Sequence, residues 1–150
     1  METQSDYKEL FTLLNAHGVN YVIVGAYALA FHGFPRNTGD VDILVEATSA
    51  NARRVVDALN AFGFGSVGLT ESDFTTKDHV VQLGVPPLRV DFMTSIEGVS
   101  WPEAAASKVA GNYGGVPIWF LGRDTLIRNK RATGRLRDMA DVEALEKKTP

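Results

Sequence analysis

Residues 21–46 read YVIVGAYALAFHGFPRNTGDVDILVE, and the order of residue types in this stretch decides the fold. Tyr21–Val24 is a short β-branched and aromatic run of the kind that forms a buried strand. Gly25 breaks it, and Ala26–Phe31 has helical composition up to Gly33. Pro35, Asn37 and Gly39 are turn residues, so Phe34–Gly39 reads as a loop. From Asp40 to Glu46 the pattern alternates. Val41, Ile43 and Val45 share one face, and Asp40, Asp42 and Leu44 share the other.

Upstream, Leu10, Leu13 and Leu14 give an apolar stripe at helical spacing behind a cap at Ser5 or Asp6, and His17-Gly18 ends that helix. Downstream, Thr48 or Ser49 caps a helix running through Asn60, with Val55, Val56, Leu59 and Phe62 as its apolar positions and Gly63 and Gly65 at its close. His79–Val85 and Leu88–Met93 read as two strands joined at Pro86-Pro87, and in the second of them Arg89, Asp91 and Met93 share a face. Trp101-Pro102 opens a short Ala-rich helix, and Val116–Leu121 is a further strand. Two helices, Asp124–Thr133 and Leu136–Lys147, finish the chain with a break at Gly134. Helices and strands alternate early, so the expected architecture is α/β (α+β): a mixed β-sheet flanked by helices, with C-terminal helices. One domain is expected over residues 1–150, with a core at about 20–121 and a helical tail at about 123–148.

Composition excludes several function classes. There is no cysteine, hence no disulfide framework, thiolate nucleophile or Cys-based zinc site. His17, His32 and His79 lack ligand spacing. The polar N-terminus is unlike a signal peptide, and no apolar run approaches the ~20 residues of a membrane span, so a cytoplasmic protein with no membrane association is expected. A net charge of −3 argues against wrapping nucleic acid by bulk electrostatics. The charge is uneven, however: Arg123, Arg128, Lys130, Arg131, Arg135 and Arg137 share a short segment with Asp124 as its sole acid, which leaves room for a local basic surface.

Asp40 and Asp42 lie two apart on a strand and project to one side, roughly 7 Å apart at the backbone. Carboxylates that close repel unless a cation sits between them. Mg²⁺ suits the position, because it prefers hard oxygen ligands and keeps substrate phosphates in its shell. Asp91 has the same local pattern on a later strand. If the two strands are neighbours, three carboxylates converge into a two-metal arrangement for displacement at phosphorus. Gly25, between an apolar strand and a helix start, is placed to present backbone N–H groups to a phosphate. Neither G-x-G-x-x-G nor G-K-[ST] is present, so this is not a dinucleotide fingerprint or a P-loop. Each feature also has a plainer reading: a solvated strand face for Asp-x-Asp, a packing turn for Gly25, and solvated helix charges for Lys130, Arg131, Arg135 and Arg137. Asp138 and Asp141 share a helix face and can pair with Arg135 and Arg137.

Together, Gly25-Ala26, Asp40 with Asp42, and Asp91 resemble the signature of the nucleotidyltransferase fold, the polymerase-β-like superfamily. Arg36-x-Thr38-x-Asp40-x-Asp42 further resembles the run found in the small bacterial branch of AbiEii-type toxin nucleotidyltransferases and lincosamide adenylyltransferases. The tail, Lys130 followed by Arg135-x-x-Asp138-x-x-Asp141, is similar to the AbiEii-type ending. The resemblance covers Tyr21 to Leu145. It implies Mg²⁺-dependent transfer of a nucleoside monophosphate from an NTP to a hydroxyl-type acceptor, which could be RNA, a protein or a small molecule. It also implies a role as the toxin of a toxin–antitoxin pair with an antitoxin-like protein partner. Because the chain offers little beyond the core, the acceptor site is expected to depend on the C-terminal helices, a second subunit of a homo-oligomer or that partner. On this resemblance Asp40, Asp42 and Asp91 are metal-binding and catalytic, and Asp91 can help deprotonate the acceptor. Gly25, Ala26, Arg36, Thr38 and Lys130 are nucleotide-binding, Lys130 as a mobile point charge on the triphosphate. The second turn position is Ala26 where the family has Gly or Ser, which removes a hydroxyl that can bond a phosphate oxygen. That departure is the feature that favours the alternative, a non-catalytic NTP-binding or regulatory module with the same fold.

Overall fold

The computed structural model describes residues 5–34, 40–85 and 88–147. The first helix, α1 (Ser5–Ala16), buries Tyr7, Leu10, Phe11 and Leu14, an i, i+3, i+4, i+7 stripe. Strand β1 (Tyr21–Val24) is buried at every position and runs directly into α2 (Gly25–Phe31). Strand β2 (Asp40–Val45) leads to α3 (Ser49–Leu59), whose N-cap is Thr48, its side-chain oxygen accepting from the Asn51 backbone N–H. Asn51 is fully buried and satisfied: its amide receives the Asn20 N–H and donates to the Asn20 and Glu46 carbonyls, fastening α3 to the ends of β1 and β2.

Irregular turns from Asn60 to Phe74 follow, including a wide π turn at Asn60–Phe64 and a 3₁₀ turn at Glu71–Phe74. Then come β3 (Val80–Leu83), β4 (Arg89–Met93), α4 (Trp101–Ser107), β5 (Val109–Tyr113), β6 (Val116–Phe120), α5 (Arg123–Thr133) and α6 (Leu136–Lys147). Ser100 and Glu103 form a reciprocal capping box on α4. Gly134, at φ 68°, makes the break between the last two helices. None of the described helices is long and apolar enough to cross a membrane.

The six strands form one mixed sheet in the order β3-β4-β2-β1-β6-β5. β1 pairs antiparallel with β2 and parallel with β6; β2 pairs parallel with β4. A parallel neighbour needs a long crossover, and α3 with the turns after it supplies the one from β2 towards β4. Helices flank the sheet, as expected.

The strand β5 is an addition to the sequence reading. Its residues, Val109-Ala-Gly-Asn-Tyr113, include two poor strand formers. It is held as an edge by β6 through the two-residue turn Gly114-Gly115, both at positive φ as a type I′ hairpin requires. A Cβ on Gly111 would meet the Phe120 ring at 2.7 Å and the Phe31 ring at 2.9 Å, so the glycine makes room for that aromatic stack.

Candidate active site

The parallel register of β2 with β4 sets the chemistry. Asp42 stands opposite Asp91, and Asp40 stands opposite Arg89. Strand alternation then puts all four side chains on one face. Asp91 is buried and Asp42 half-buried. Burial first, then the charges of Asp91 and Asp40, push the Asp42 carboxyl up to about 6, against a smaller opposing effect of Arg89. The closeness of the two facing carboxyls adds to the rise at Asp42.

Arg89 spans the other two acids. Its Nε donates to Asp91 Oδ1 and its Nη2 to Asp91 Oδ2, each at 3.3 Å, and Nη2 lies 3.2 Å from Asp40 Oδ2. The Tyr7 hydroxyl donates to the Arg89 carbonyl at 2.8 Å, fixing the backbone beneath the guanidinium. Sequence reading assigned Arg89 no role. The signal was present in its two-residue offset from Asp91, but its pairing with Asp40 depends on a register that local pattern does not reveal.

Gly25 is confined from two sides. Its φ is 67°, and a Cβ there would fall 2.3 Å from Asp42 Oδ2. Only glycine satisfies both conditions, so the turn and the aspartate are built as a unit. No side chain caps the start of α2, and Ala26 follows half-buried at its second position. Arg36 and Thr38 lie outside the described residues.

Gly25 and Asp42 border a cleft of about 550 Å³, a size that suits a small-molecule ligand. Lys130, Arg135 and Asp138 line its far side, and Lys77, Asp78 and Ser95 another wall that sequence reading did not identify. Lys130 reaches the expected cleft, but not as a mobile charge. It is buried, with its ammonium 2.9 Å from Asp141 Oδ2 and 3.5 Å from Asp138 Oδ1. Asp138 also accepts from Thr133 Oγ1 at 2.7 Å and Arg135 Nε at 2.6 Å. Burial alone would raise its carboxyl, but those hydrogen bonds and the charges of Lys130 and Arg135 outweigh burial and hold it at about 2. The expected pairing of Asp138 with Arg135 is present, and Asp141 is bound to Lys130.

Among the described residues, no three His, Asp or Glu side chains converge as they stand into a metal-binding group. The expected convergence of three acids is therefore incomplete. Asp42 and Asp91 meet, whereas Asp40 and Asp91 are bridged by Arg89. The donor set still fits a hard divalent ion: two facing carboxyls whose repulsion a cation would relieve, with a third carboxylate beside them.

No family model and no curated protein matches this chain. Solved structures do. A Thermotoga maritima protein provisionally described as a nucleotidyltransferase superposes with a TM-score of 0.59 at 17% identity, covering 97% of this chain and 94% of that one. An antigenic nucleotidyltransferase-like protein from Paracoccidioides brasiliensis superposes with a TM-score of 0.50 at 18% identity, covering 92% of this chain and 75% of that one. Likeness at these identities establishes the fold, a mixed sheet with flanking helices of the nucleotidyltransferase type, and does not distinguish between branches.

Proposed function

We propose that this chain is a metal-dependent nucleotidyltransferase. The observation that carries the reading is the Asp42–Asp91 pair, set face to face by the β2–β4 register, with Asp42 backed against the Gly25 turn at the border of the cleft. Asp40, Asp42 and Asp91 would hold Mg²⁺, which when bound stabilises negative charge on the phosphates and lowers the pKa of an attacking hydroxyl. The Gly25 turn lets the phosphate chain approach the Asp42 strand closely. Lys130 and Arg135 line the same cleft, where a phosphate would compete with Asp138 and Asp141 for them. Asp91 accepts the acceptor's proton as its oxygen bonds to the α-phosphorus; the bond to the bridging oxygen breaks and pyrophosphate leaves with the electron pair.

The R-x-T-x-D-x-D run and the Lys130 to Asp141 tail support the AbiEii-type branch, and with it a toxin role beside an antitoxin-like partner. An RNA, protein or small-molecule hydroxyl is the acceptor, seated with help from the C-terminal helices or a second subunit. The test is incubation with Mg²⁺ and each labelled NTP in the presence of RNA, protein and small-molecule acceptor pools. Pyrophosphate release with label transfer is the expected result. Tight NTP binding with no turnover in any pool would favour the second reading, a binding module, which Ala26 and the hold of Arg89 on two of the acids both support.

A further inference from the structure

We infer that Arg89 is a tethered counter-ion that competes with a divalent cation for Asp40 and Asp91, so that ion binding requires its guanidinium to leave. The inference rests on the metal-dependent reading and adds a residue that reading does not use. Shared oxygens and like charge carry it. Arg89 donates to both oxygens of Asp91 and lies within ion-pair distance of Asp40 Oδ2. Those oxygens are the ones a cation would coordinate, and a metal ion held beside a guanidinium on shared oxygens would face a like charge at close range.

The arrangement allows the exchange. The Arg89 side chain is 31% exposed while that of Asp91 is 9% exposed, so the arginine approaches from the solvent side and the acid from the interior. The Arg89 backbone is anchored by the β2–β4 and β3–β4 pairings and by the Tyr7 hydroxyl on its carbonyl. Side-chain rotation alone therefore frees the acids, with no change in the sheet. An ion arriving already bound to a nucleotide triphosphate brings Arg89 a new anionic partner, whereas a free ion must displace it without compensation.

The competing account makes Arg89 a staple between β2 and β4. Titration of nucleotide-free protein with Mn²⁺, read by electron paramagnetic resonance, separates the two. Arg89→Gln is expected to bind Mn²⁺ about tenfold or more tightly than wild type, and Arg89→Lys close to wild type. Unchanged or weaker binding in Arg89→Gln, with wild-type binding still abolished by Asp42→Asn, overturns the inference and leaves the metal-dependent reading standing. Absence of Mn²⁺ binding in every variant at millimolar ion overturns both. A second measurement needs no variant: the Arg89 Nε–H resonance of wild-type protein is expected to move on saturation with Mg²⁺, and an unmoved resonance in an ion-bound protein overturns the inference.

Discussion

Asp42 stands opposite Asp91 in the parallel register of β2 with β4, so two strands separated by α3, a run of irregular turns and β3 bring their carboxyls to one place. The site costs stability in the ion-free protein: burial, and after it the charges of Asp91 and Asp40, make the half-buried Asp42 carry its proton up to about pH 6 instead of its ordinary 3.8. Between those values the folded state binds more protons than the unfolded state. Stability therefore falls as pH rises through that window and is lowest above it.

The same pair gives a first prediction. Asp42→Asn removes the repelling charge, and at pH 7.5 it is expected to raise unfolding free energy by on the order of 2 kcal/mol. At pH 4 the gain should be nearly gone. Urea denaturation of both proteins at the two pH values measures it. A variant equally stable at pH 7.5 would mean that neither burial nor repulsion penalises the Asp42 charge.

Gly25→Ala tests the coupling between turn and acid. The new Cβ would fall 2.3 Å from Asp42 Oδ2, on a backbone at φ 67°. The expected loss is about 2–4 kcal/mol, combining left-handed strain with displacement of the carboxylate. Transfer activity should fall with it, since Asp42 has to move. Chemical denaturation measures the first effect; a loss below about 0.5 kcal/mol would show that the turn is slack.

Asp138 governs the acid limit. Its carboxyl is held at about 2 against an ordinary 3.8, so its contribution is present above pH 4 and is lost as pH falls towards 2. Asp138→Ala strips partners from Thr133, Arg135 and the buried Lys130, and is expected to cost about 3 kcal/mol at pH 7. The stability difference between variant and wild type should shrink at pH 2.5. Acid titration of the unfolding midpoint of both proteins follows it directly.

Much of this site could be read along the chain because its parts are local. The alternation of Asp40 and Asp42, the same pattern at Asp91 and the break at Gly25 each show in a few residues, and each element is found where the pattern puts it. What escaped was non-local. Arg89 looks like an ordinary strand residue until the β2–β4 register sets it opposite Asp40. Lys130 reads as a free helix charge because its partners Asp138 and Asp141 lie across the Gly134 break. The edge strand β5 escaped for a different reason. Gly111 and Asn112 weaken its propensity, although Gly114-Gly115 just beyond them is a hairpin signal that local reading could have used.

The account depends on Asp42 and Asp91 acting together on a metal-bound triphosphate. Calorimetric titration of Mg²⁺-NTP into wild-type protein, Asp42→Asn and Asp91→Asn tests this most directly. Mg²⁺-dependent binding to wild type, lost in both variants while each remains folded, is the result the account predicts. Binding unchanged in Asp42→Asn would contradict it and leave the carboxylate pair as part of a structural sheet.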